Sequence, residues 1–132
     1  ELEGVWSSSS YKVGIIKKEN EYQGFVIETS NGNWKAKEIK FCLMQEGKVN
    51  YYMGDHSLRE GKFELFDGSI LSFEGISSLF VKEFPEPKLT ENEINLILDK
   101  KQGFHFTKLT DKTSLLCISS FDDRYVEKIE KN

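Results

Sequence analysis

Short runs of alternating apolar and polar residues, each ended by Gly, Asn or Asp, restrict this chain more than any other feature. A side-chain period of two belongs to strands with one covered face, and turn residues at such short intervals send the chain back antiparallel. Gly4-Val5-Trp6 opens the first strand, and Tyr11, Val13 and Ile15 share a face over residues 11–17. Residues 22–28 set Tyr22, Gly24 and Val26 against Gln23, Phe25 and Ile27. Ser30-Asn31-Gly32-Asn33 then turns the chain, because Asn and Gly tolerate positive φ. A strand over 34–44 is expected next, with Ile39, Phe41 and Leu43 on one face opposite Glu38 and Lys40. Glu46-Gly47 leads into another over 49–53. The expected fold is mostly β, an antiparallel barrel or strongly curved sheet of about seven to nine strands.

One hairpin can be read down to its register. Phe63 and Leu65 share a face, and so do Leu71 and Phe73. A two-residue turn at Asp67-Gly68 would set Leu71 opposite Glu64 and mix the faces, since a slip of one residue flips every side chain. A three-residue loop or a bulge pairs Leu65 with Leu71 and Phe63 with Phe73, and this is the expectation. Residues 79–84 form a further strand, stopped by Pro85-Glu86-Pro87.

The pattern then changes. Thr90-Glu91-Asn92-Glu93 has the form of a capping box, flanked by Leu89 and Ile94 as an apolar staple. Ile94, Ile97 and Leu98 make one stripe and Gly103 is placed to end the turn, which predicts a helix over 90–102. Two strand-like runs follow, over 104–109 and 113–119, and then a helical pattern in which Val126 and Ile129 form an apolar seam with little left to cover it. The expected division is a barrel-like domain over 1–88, a linking helix over 89–103, and the start of a truncated further domain over 104–132.

Composition excludes some functions. The net charge is −4 and the lysines lie scattered among acids, which argues against nucleic acid as a partner. No run approaches the roughly 20 apolar residues of a membrane-spanning helix. The chain opens on Glu1 and so reads as processed or trimmed, with any export signal beyond it. Cys42 and Cys117 each sit in an apolar strand-like run and read as buried free thiols in preference to a disulfide. The two histidines, His56 and His105, have no ligand-like spacing, so neither a metal nor a cofactor is expected.

Ile118-Ser119-Ser120-Phe121, preceded by residues 109–117 and followed by a charged helical stretch over 122–131, resembles the entry to the catalytic domain in the tail-specific, or carboxyl-terminal processing, serine peptidases, a group that includes the tricorn-like proteases. Gly4-Val5-Trp6, Tyr22-Gln23-Gly24-Phe25-Val26-Ile27 and Tyr51-Tyr52-Met53 are similar to the β-rich N-terminal region of such bacterial peptidases. Cys117 departs from the pattern, where such strands often carry Arg. The resemblance implies a non-catalytic accessory domain of an exported enzyme, periplasmic or associated with the outer membrane. Its partners would be a missing downstream catalytic domain and a peptide substrate. The family's nucleophilic Ser and general-base Lys lie beyond this junction, so no catalytic residue is carried over.

Gly4-Val5-Trp6 also resembles the Gly-x-Trp opening of lipocalins, where a late Arg packs over the Trp; Arg124 is a conceivable counterpart. That reading implies a calycin-like barrel that binds a small apolar ligand. Asp55-His56-Ser57 contains the residue types of a hydrolytic triad, but neighbours in sequence cannot converge as a triad must, and a polar turn is expected. His105, between Phe104 and Phe106, is expected on a strand's outer face. The aromatic residues Trp34, Tyr22, Tyr51 and Tyr52 are the candidates for a ligand-binding platform, set against the alternative that they are core.

Overall fold

The structure is a computed structural model that describes residues 1–100 and 107–108. Its strands are β1 (Gly4–Ser7), β2 (Tyr11–Lys18), β3 (Glu21–Thr29), β4 (Ile39–Leu43), β5 (Lys48–Tyr52), β6 (Leu58–Phe66), β7 (Ile70–Phe73) and β8 (Phe80–Phe84). Each pairs antiparallel with its neighbour in sequence, and β8 returns to pair with β1. The result is a closed eight-stranded antiparallel barrel with, among the described residues, one short α-helix, consistent with a lipocalin-like barrel. Closure removes the exposed sheet edges that an open curved sheet would keep.

The eight strands of the barrel lie between Gly4 and Phe84, so the barrel closes without any residue after Phe84. Gly4 permits that closure: it has φ +145°, and a Cβ there would lie 2.0 Å from the Phe84 carbonyl oxygen. The 63–73 hairpin has the expected register, Phe63 opposite Phe73 and Leu65 opposite Leu71. Its loop is Asp67-Gly68-Ser69, with φ +49° at Asp67 and +68° at Gly68.

Eight strands make a barrel whose interior is just wide enough for side chains to fill. Trp6, Val13, Ile15, Phe41, Leu43, Val49, Tyr51, Leu71, Phe73 and Phe80 fill this one as a single buried cluster. The Phe73 ring lies 5.0 Å from both Phe41 and Tyr51 and 5.7 Å from Phe80, in tilted or edge-on contact. Ile16 and Phe25 are buried on the other face of the sheet, with Ile27 and Ile39 packed against them.

The expected strand over 34–44 needs correction, since only Ile39–Leu43 is extended. Residues 31–38 fold as consecutive turns: the Trp34 amide donates to the Asn31 carbonyl and the Glu38 amide to the Lys35 carbonyl, with Lys37 at φ +77°. The predicted faces of this strand also change. A register shift between Gly24 and Phe25 sets Gly24 opposite Phe41 but Phe25 opposite Ile39, leaving Lys40 as the extra residue. Ile39 therefore packs outside with Phe25, and Lys40 is turned to the inside.

Beyond the barrel, α1 (Glu91–Lys100) begins at the expected capping box. The Glu93 amide donates to Thr90 Oγ1 at 3.3 Å, and the Thr90 amide donates back to Glu93 Oε1 at 3.0 Å. The Thr90 amide, and then its hydroxyl, donate to the Glu93 carboxyl and hold it below its ordinary pKa. Thr90→Ala should remove about 1 kcal/mol of helix stability. Amide exchange at residues 91–94 should then quicken while the barrel's Tm stays put; unchanged exchange there would refute the cap. A two-residue strand, β9 (Thr107–Lys108), pairs with Arg59 and Glu60 of β6. Among the described residues no helix is long and apolar enough to cross a membrane. Cys117, His105, Arg124, Val126, Ile129 and most of the segment 104–132 lie outside the described residues.

Candidate functional site

The turns divide between the two ends of the barrel. The β3–β4 and β5–β6 connections fold over one of them, the end reached by Tyr11 and Tyr51. Lys40 enters it from the bulge and is 1% exposed. Its Nζ lies 4.1 Å from the ring centre of Tyr11, 4.4 Å from that of Trp34 and 4.9 Å from that of Tyr51. It donates a hydrogen bond of 2.7 Å to the Tyr52 carbonyl. A cation over an aromatic face is attracted by the ring quadrupole, more strongly where water is excluded.

The walls of this cage are fixed from outside. Asn31 Nδ2 donates to Tyr11 Oη at 3.0 Å and also reaches the Gly54 carbonyl. Trp34 Nε1 donates to the same carbonyl at 3.1 Å. His56 stacks on Trp34 with ring centres 4.0 Å apart and pairs with Glu38 at 3.5 Å. Tyr51 is held by Phe41 and Phe73. Burial pushes the Lys40 ammonium down to about 8, partly opposed by the charge of Asp55. Burial pushes the Tyr51 phenol up, with the Tyr11 phenol adding to the effect. Both shifts arise because a charge is costly where water cannot reach it.

Of the four aromatic candidates, the structure brings Trp34 and Tyr51 together as cage walls, and Tyr52 contributes its carbonyl. Tyr22 is elsewhere: it sits opposite Leu43, partly buried against the core. Lys40 and Tyr11 were missed, because a lysine between Ile39 and Phe41 reads as an outward residue. Asp55-His56-Ser57 is the expected polar turn, with Ser57 donating to Asp55 Oδ1 through its amide at 3.0 Å and its hydroxyl at 2.5 Å. Those bonds, the hydroxyl's first, hold the Asp55 carboxyl below its ordinary value. Cys42 is a buried thiol whose Sγ donates to Glu21 Oε2 at 3.0 Å.

A second cation lies against Trp6. Lys82 sits opposite it across the β1–β8 pair, with Nζ 5.5 Å from the Trp6 ring and donating to the Glu1 carbonyl at 2.5 Å. Trp6 Nε1 donates to the Leu2 carbonyl. The tryptophan of Gly4-Val5-Trp6 thus has a basic residue over it, supplied by β8. Burial, followed by the charge of Lys88, pushes the Lys82 ammonium down. Away from the core, Asn20, Glu21, Met44, Gln45, Glu46 and Lys48 line an open polar groove of about 410 Å³ between two turns.

Among the described residues no group of three His, Cys, Asp or Glu could hold a metal ion. No family model, curated protein or solved structure matches this chain.

Proposed function

We propose that this chain is the non-catalytic accessory barrel of an exported serine-type peptidase, working through its surface to position substrate, shield the active site or assist assembly. One observation carries the reading. The barrel closes within Gly4–Phe84, so the segment around Ile118-Ser119-Ser120-Phe121, which resembles the entry to such a catalytic domain, is not needed as a stave. The filled interior favours surface action as well. A carrier of small apolar molecules needs a cavity of about 300 Å³ or more, and here the Phe41, Phe73, Phe80 and Tyr51 rings occupy the centre. The residue trio Asp55-His56-Ser57 is engaged in its own turn.

The test is to express the polypeptide encoded by the whole gene and treat it with a serine-reactive fluorophosphonate probe. The expected result is labelling of a serine beyond Asn132, with peptide cleavage, while the 132-residue chain stays unlabelled. A reading frame that stops at Asn132, or a longer product that neither labels nor cleaves, would sink the proposal.

A further inference from the structure

Lys40 and its cage play no part in that reading. The three rings come from three separate elements, β2, the β3–β4 connection and β5. Each ring is anchored by a contact that does not involve Lys40: Asn31 on Tyr11, Gly54 and His56 on Trp34, Phe41 and Phe73 on Tyr51. A receptor whose walls are fixed independently of its occupant is preorganised, so its shape outlives removal of that occupant. The occupant is also specified chemically. Three aromatic faces surround one nitrogen and a backbone carbonyl accepts its proton, a combination that suits an ammonium better than a methyl group. The bulge between Gly24 and Phe25 is what turns this nitrogen inward.

We propose that this end of the barrel is a binding site for a primary alkylammonium group, occupied within the chain by its own Lys40. The site is then a receptor with a tethered ligand. Shortening the tether opens it to free amines of matching length. It also ties the two turns together, since the ammonium touches Trp34 from the β3–β4 connection and the carbonyl of Tyr52 just before the β5–β6 turn.

Lys40→Ala removes Cγ, Cδ, Cε and Nζ, and n-propylammonium carries the same heavy atoms. Propylammonium should raise the Tm of Lys40→Ala saturably and leave that of the unaltered chain where it is. At about ten times its Kd, a ligand that binds only the folded state raises the folding constant about elevenfold. 1-Propanol, of the same size but uncharged, should give a much smaller shift. Equal shifts from propanol and propylammonium, or no saturable shift in a folded Lys40→Ala, overturn the proposal. If Lys40→Ala does not fold, lysine-labelled NMR of the unaltered chain decides. Three ring faces should move the Lys40 Hε signal upfield, clear of the exposed lysines, and an Hε signal among them overturns the assignment.

Discussion

Phe41→Ala should lower the free energy of unfolding by about 3–5 kcal/mol, seen as a lower urea midpoint at unchanged slope. Phe41 is completely buried and meets Phe73 at 5.0 Å, Phe80 at 5.5 Å and Tyr51 at 6.1 Å between ring centres. Deleting the ring removes its transfer free energy and leaves a hole over Gly24 of β3, among side chains from β5, β7 and β8, that a closed barrel cannot readily collapse. Gly24 supplies the control. A Cβ built there would lie 2.3 Å from the Phe41 ring, so the ring fills the space a side chain at position 24 would take. Gly24→Ala should cost about 1–3 kcal/mol in the unaltered chain through overpacking, and much less once Phe41 is alanine. A loss below about 1 kcal/mol for Phe41→Ala would contradict a filled interior.

The same pair shows where the sequence is informative and where it is not. The 63–73 hairpin was legible because its information is local: two apolar pairs and one turn admit a single register that keeps the faces apart. The helix start at Thr90 was legible for the same reason, since both capping partners lie within one turn. Lys40 was hidden because a bulge is decided between strands. Nothing in Ile39-Lys40-Phe41 announces that β3 will skip a residue opposite it. Trp34 was expected on a strand, yet its position depends on Gly54, which is distant in sequence and supplies its acceptor. Lys82 did leave a signal. Phe80, Lys82 and Phe84 alternate at the strand period, which places the lysine on the face of the buried Phe80. The side chain above Trp6 could therefore have been sought on the strand that closes the barrel.

Between pH 8 and 10, the unaltered chain should gain stability relative to Lys40→Met. The folded-state ammonium titrates near 8 against an ordinary value of 10.5, because burial disfavours its charge. Over that interval the unfolded chain holds a proton that the folded chain has released, so stability rises with pH. Below pH 8 both states are charged and folding bears the full desolvation cost. The whole gain, reached by pH 10.5, is at most about 3 kcal/mol, and pH 10 captures most of it. Methionine has a similar length and no titrating group, so it fills the cage without this slope. The other polar and charged side chains around the cage stay in both proteins and largely cancel in the comparison. They are Asp55 and His56 on the β5–β6 turn, Glu38 before β4, and Arg59, which faces Tyr51 across the β5–β6 pair. Tyr51 acts in the opposite sense, since its raised phenol withdraws stability once unfolded tyrosines ionise above about pH 10. Urea titrations at pH 7, 8, 9 and 10 therefore isolate the lysine. A difference between the two proteins that is flat across that range would mean that the Lys40 ammonium keeps its water-like affinity for its proton, with the three ring faces and the Tyr52 carbonyl offsetting the cost of burial.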